Sequence, residues 1–424
     1  MIHPIRILLL LLLSACCGFG QLPNAEISGR SFVDQAQIVS NHMTEQYAHQ
    51  SSLRIVKGIG YAVYQCSEIT PEENKAGQIA RMAVFNILNP TATVKWVDVA
   101  AAGESSNGIT IASKFVAAPM LHRLNDDTLR IFFTVSGEGD PGSMTRVFFK
   151  DYTISTASLS GLHQARCTIA KQPDKVLDLT QTTVQSHLDF LFGAGVGESF
   201  SKGISTACDF VEFDGQLYST IQIKNSEDGK TLLLTNILMR SDDQGATWEL
   251  LGAPDPRVLS TEVKILAEPA MTQDKEHVWL HLRSNVVESG YLLSKAGKSD
   301  LYSFDTPVKK WTYGIGRPTI CDYGKPIGLV AMFTAQSVPM GGAAVSRNKC
   351  EVVQIDSSHS RYKLAFSVVD YNAVNTPFMH LYNDEVYVTY STGRRHLLPK
   401  FGTSEIVFSK LRREFFVPTQ TTAP

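Results

Sequence analysis

The sequence predicts an all-β chain, a six-bladed β-propeller of four-stranded antiparallel blades. Two observations carry this. Short runs such as Leu-Tyr-Ser-Thr-Ile-Gln-Ile at 217–223 and Val-Tyr-Val-Thr-Tyr at 386–390 alternate with period two between Gly, Asp and Asn turns. One unit also recurs along the chain: a small residue or proline, an apolar strand, a turn and a second apolar strand. With 424 residues and 43% hydrophobic content, the chain has enough apolar material for a large core.

Taken in order, residues 1–15 read as an export signal. Arg6 precedes an apolar run, Ile7 to Leu13, that is too short to cross a bilayer as a helix. Leu13-Ser14-Ala15-Cys16 resembles the lipobox of bacterial lipoproteins, which implies lipid on the Cys16 thiol. Cleavage without lipidation is the alternative. Either reading places the mature protein outside the cytoplasm, secreted, periplasmic or at the cell surface, with a membrane involved only through the lipid. Residues 16–45 are expected to be a linker or lead-in helix, 46–415 the propeller and 416–424 a polar tail.

The recurring units begin at Ser51, Pro119, Cys208, Pro269, Pro318 and Pro377, roughly 50 to 90 residues apart, the size of a propeller blade. Closing them into a ring removes exposed sheet edges and brings the innermost strands together at a central funnel. The residues just before each start, Gln50, Ala118, Ala207, Glu268, Arg317 and Thr376, are expected near its mouth. Pattern alone leaves seven blades or a pair of sandwiches open.

The net charge of -2, with no Lys/Arg cluster, gives no footprint for nucleic acid. Beyond Cys16 and Cys17, the cysteines Cys66, Cys167, Cys208, Cys321 and Cys350 are odd in number and widely spaced. That is neither a disulfide framework nor a metal-ligand spacing, and buried thiols are expected. The sequence calls for no metal and no cofactor.

Ser241-Asp-Asp-Gln-Gly-Ala-Thr-Trp248 reads first as a tight hairpin. Asp243 accepts backbone N–H groups, Gly245 takes positive φ and Trp248 returns to the core. The same stretch matches the Asp-box of sialidases, Ser/Thr-x-Asp-x-Gly-x-Thr-Trp. Downstream, Glu268 opens a unit, Arg283 follows after one hairpin and Arg347 lies one unit later, a succession that also resembles sialidases.

The resemblance implies a propeller that binds an acidic, carboxylate-bearing glycan through an arginine cluster and hydrolyses its glycosidic bond. Planar guanidinium groups bind carboxylates with paired, charge-assisted hydrogen bonds that lysine does not reproduce. Arg283, Arg347 and Arg317 are the candidates for that contact, with His49 where the family's first arginine would stand and Arg54 five residues beyond it. Glu268 would polarise a tyrosine nucleophile. Asn375-Thr376-Pro377 has no tyrosine at the family's position, so Tyr371, beside Asp370, is the candidate; Val116-Ala117-Ala118 stands where an acid is expected.

These departures keep two rivals open: a polysaccharide lyase acting on uronates, and a glycan-binding propeller without turnover. A silent ion pair between Glu268 and Arg283 is the plainer reading of those two residues.

Overall fold

The computed structural model describes residues 33–136, 144–169, 176–179, 181–200, 204–206, 209–227, 230–255, 266–284, 290–294, 309–311, 317–334, 349–355, 362–369, 374–393 and 405–416. They form an all-β propeller. The first sheet orders Tyr47–Val56, Ile59–Ser67, Ile79–Asn86 and Lys95–Ala100 from inside to outside. Val116–Arg123 begins the second, Gln216–Glu227 and Lys230–Ser241 centre the third, Leu266–Gln273 begins the fourth, Thr319–Asp322 the fifth and Asn375–Tyr382 the last. Each innermost strand touches the next, and the strand from Asn375 touches the strand from Tyr47, so the ring closes.

The blades are not the uniform four-stranded antiparallel sheets expected. In the second sheet, Ser158–Leu159 and His163–Gln164 share the outer edge of Met144–Thr153, making five strands. The third has seven: Ile204–Thr206 and Val211–Phe213 share its inner edge, and Arg166–Thr168 pairs parallel with Thr247–Leu250. Residues 33–38, expected in a linker or lead-in helix, are instead a strand, Val33–Ile38, on the outer edge of the last sheet against Glu405–Leu411. The start of the ring thus completes its final sheet. The helix of the described residues, α1 (Gln181–Phe192), packs Val184 and Leu188 into the core of the third sheet.

Because each sheet is covered on both faces, successive residues of one strand enter different cores. Leu129, Ile131, Phe133 and Val135 face the first sheet, whereas Phe132 between them joins the third. Val330 and Met332 pack with the last sheet, while Leu329, Ala331 and Phe333 pack with Trp279 of the fourth. Near-continuous apolar strands are therefore the signature of two buried faces. Cys66 and Cys350 are buried thiols without a disulfide, and Cys321 is half-buried and also unbridged.

The stretch 241–248 turns between two strands of the third sheet. Ser241 Oγ accepts the Gly245 N–H at 2.8 Å, and Asp243 Oδ1 accepts both the Ser241 hydroxyl and the Thr247 N–H at 2.8 Å. Gly245 has φ +88°, and a Cβ there would lie 2.6 Å from Phe132 and 2.8 Å from Trp248, so only glycine fits. The turn also reaches the second sheet: Arg130 Nη1 donates to the Gln244 carbonyl at 3.0 Å.

Candidate functional site

Four of the innermost strands share a bulge. Register slips between His49 and Ser52, Ala117 and Met120, Ala267 and Ala270, and Asn375 and Phe378. Within each slip one residue takes a left-handed backbone: Gln50 (φ 52°), Ala118 (47°), Glu268 (45°) and Thr376 (43°). For an L-residue this costs on the order of 1 kcal/mol and is sustained only by its surroundings. The next residue is Ser51, Pro119, Pro269 or Pro377. Proline, with no N–H to leave unpaired, suits the second place of a bulge. The repeat read from the sequence as a small residue or proline is the chemical trace of this bulge. Ala207 lies outside the described residues, and Arg317 stands two residues before its strand begins at Thr319, without a bulge.

At the fourth sheet the bulge carries Glu268. Its carboxylate accepts from Arg283 Nη1 at 2.5 Å, and the two side chains are 29% and 27% exposed. Arg283 comes from Val278–Ser284, where it pairs with Ala267, so the hairpin itself brings cation and carboxylate together. Arg317 is buried, with Nη2 3.3 Å from Met120 Sδ of the second sheet. His49 is buried too, its ring 6.0 Å from that of Tyr47. Arg347, Tyr371 and Cys16 lie outside the described residues.

One carboxylate at this end escapes the sequence reading. Glu73, in the loop between Ile59–Ser67 and Ile79–Asn86, accepts from Gln50 Nε2 at 3.3 Å and neighbours the Tyr47 hydroxyl. Burial first, then the Glu73 charge, pushes that phenol well above its ordinary range. The available signal was the Glu72-Glu73 pair in a loop after a second strand, without the regular spacing that marks the bulges.

Four residues beyond the bulges lies a second polar layer: Arg54, His122, Thr272 and His380, with Cys321 four beyond Arg317. Arg54 pairs with Asp209 and lies 5.5 Å from the Phe378 ring centroid, so it binds within the protein rather than joining Arg283. His122 Nε2 shares a 2.7 Å hydrogen bond with Gln244 Oε1. Burial, and then the nearby Arg54 charge, lower its pKa to about 4, and burial with Arg54 and Arg123 pushes His380 well below its usual range. His281 is buried as well.

Because His122 titrates lower in the folded chain than unfolded, its contribution to stability is fully present above pH 6.5. It is lost as pH falls towards 4. Urea unfolding from pH 7 to 4 should show a loss of up to ~3 kcal/mol from this site, and His122→Gln should flatten that slope. An unchanged slope in the variant would show that His122 does not carry it.

Among the described residues, no group of three or more His, Cys, Asp or Glu is placed to hold a metal ion. No protein-family model matches the chain, and no curated relative matches it. Solved structures do. Trypanosoma rangeli sialidase in complex with the inhibitor DANA aligns with TM-score 0.59 and 13% identity, over 87% of this chain and 55% of that one. The Hadza microbial sialidase Hz136 gives 0.61 and 10% over 90% and 69%, and a Dyadobacter fermentans protein of unknown function gives 0.60 and 12% over 90% and 100%. The chain spans about 55% of the Trypanosoma sialidases' length. The fold is a divergent sialidase-like β-propeller.

Proposed function

We propose that this chain is an exported glycoside hydrolase of sialidase type, acting on an acidic glycan whose carboxylate is held by arginines. The observation that carries the reading is the partly exposed Glu268–Arg283 pair on a strained bulge at the head of an innermost strand. A silent structural pair needs no exposure at the head of an innermost strand. Arg283 makes its described side-chain contact through one Nη1 donor, leaving Nε and Nη2 available for a carboxylate. In this reading Glu268 polarises the nucleophile, for which Tyr371 is proposed, and Arg347 and Arg317 complete the cationic rim. Glu73 supplies a second carboxylate at the mouth. We read the sheets that begin at Tyr47, Val116, Ile204, Leu266, Thr319 and Asn375 as six blades, and Cys16 as the point of lipid attachment.

The Trypanosoma rangeli enzyme has been captured with sialic acid, which makes N-acetylneuraminic acid and its aryl glycosides the first probes. Wild type should hydrolyse a 4-methylumbelliferyl sialoside. Glu268→Gln should lower kcat roughly 100-fold or more, and Arg283→Lys should chiefly raise KM, about tenfold or more. Saturable binding without turnover would instead support the second reading, a glycan-binding propeller. That reading is favoured by one observation: the bulge of the last sheet presents Thr376, buried, where a reactive side chain would stand. Neither binding nor turnover would overturn both.

A further inference from the structure

We propose that Gln222 is a positioning residue that holds Glu268 in its left-handed conformation from the neighbouring sheet, and so sets the carboxylate against Arg283. The inference deepens the proposed carboxylate-binding site and rests on that reading for its functional consequence. Its structural content stands alone.

The bulge creates a definite problem. Residues 268 and 269 face the single partner Leu282, since Ala267 pairs with Arg283 and Ala270 with His281. Pro269 has no N–H, so the Glu268 N–H is the one backbone donor that the slip displaces from the ladder. Gln222 Oε1 accepts it at 2.8 Å. Gln222 sits on Gln216–Glu227 of the third sheet, directly opposite Asn236. Asn236 reaches the same segment from the same side, its Nδ2 donating to the Leu266 carbonyl at 2.7 Å. Two facing amides therefore grip the strand at Leu266 and at Glu268, and the grip spans the point where the backbone turns left-handed.

A built-in comparison shows what the clamp does. In the second sheet, Ala118 occupies the same bulge, is followed by Pro119, and donates its N–H to Gln65 Oε1 of the first sheet at 3.0 Å. The device is thus part of the scaffold and is used twice. At Ala118 it holds a methyl group; at Glu268 it holds the carboxylate paired with Arg283. Thr376 keeps the same conformation by another means, its N–H donating to its own neighbour's side chain, Asn375 Oδ1, at 3.0 Å. Without an acceptor the 268 backbone relaxes toward extended geometry. A strand residue that changes register presents its side chain to the opposite face, and the glutamate then leaves Arg283.

The test compares Gln222→Leu with Gln65→Leu, which removes the acceptor for Ala118 together with a 2.8 Å hydrogen bond to the Tyr47 hydroxyl, and with Gln222→Glu, which keeps an acceptor oxygen. Melting temperature and titration with N-acetylneuraminic acid are read on the full chain. Both leucine variants should lose thermal stability, Gln222→Leu should weaken binding tenfold or more, and Gln222→Glu, which keeps the acceptor but adds a charge beside Glu268, should restore the melting temperature without restoring full affinity for the anionic sugar. Unchanged affinity in Gln222→Leu overturns the inference. If wild type itself does not bind the sugar, the functional reading has failed and a crystal structure of Gln222→Leu decides: Glu268 with negative φ and its contact to Arg283 lost supports the clamp, and retained geometry refutes it. Should that variant not fold, Gln222→Asn, the same amide one methylene shorter, takes its place.

Discussion

Replacing Trp248 by alanine should destabilise the protein by about 3–5 kcal/mol, the range for deleting a large buried aromatic side chain. The indole is 1% exposed and lies in a core shared by the second and third sheets. Its ring stacks near Phe210, centroids 6.3 Å apart at 22°, and meets the edge of Phe132 at 6.1 Å. The surroundings collapse poorly into the space because the turn that presses on the ring is fixed. Ser241 and Asp243 hydrogen-bond it internally, and Gly245 already lies against both Phe132 and Trp248. The loss therefore includes a cavity as well as the transfer of the indole to water, and it loosens a joint between two blades. Urea unfolding monitored by circular dichroism checks this; a loss below about 1 kcal/mol would mean that the pocket repacks.

Much of this architecture is legible in the sequence because its causes are local. A turn with Ser, Asp, Gly and Trp at fixed spacing has few ways to satisfy its hydrogen bonds, so Ser241 to Trp248 can be read without the rest of the chain. The Pro or Ser starts are legible for the same reason: a bulge with a residue that lacks or can spare its N–H repeats from blade to blade. What stays hidden depends on distant partners. Val33–Ile38 is a strand only because the edge of Glu405–Leu411 is there to receive it, and its own sequence carries no strong period. Helix α1 escapes notice because Val184 and Leu188 stand four apart among polar residues and its other apolar residues, Phe190, Leu191 and Phe192, bunch in its last turn, so no sustained helical period shows. Glu73 is brought to Gln50 by a loop, and the Gln222 clamp crosses from one sheet to the next, so neither leaves a spacing to find. Arg54 illustrates the opposite error. It stands near the family's first arginine in sequence, yet Asp209 claims it.

A second large effect is expected at Arg81, where Arg81→Leu should cost about 3–5 kcal/mol at neutral pH, the usual consequence of stranding a buried charge. Arg81 projects from Ile79–Asn86 and reaches three carboxylates: Glu45 at 3.0 Å, Glu68 at 2.9 Å and Asp98 at 2.6 Å. Glu45 is fully buried, and the Tyr64 hydroxyl also donates to it at 2.9 Å. Burial holds its carboxyl above the ordinary value of 4.5, opposed by the Tyr64 hydrogen bond and by Arg81. Removing Arg81 raises it further. A group whose folded pKa is raised contributes stability fully below its unfolded pKa, here 4.5, and loses it as pH rises through the folded value. The deficit of the variant should therefore be smallest near pH 4 and grow toward pH 7. Glu68 acts in the same sense, because Arg81 and Thr44 hold its pKa below 4.5, and that stabilisation is fully present above 4.5 and is lost as pH falls through the folded value. Adding Glu45→Gln to Arg81→Leu removes the stranded charge and should recover part of the loss at pH 7 while changing little at pH 4. A deficit independent of pH, or a double variant no more stable than the single one, would show that Arg81 acts through packing alone. The position matters to the ring because Thr44 and Glu45 lie between the strand that completes the last sheet and the innermost strand of the first. Freeing that segment loosens the closure on which the funnel depends.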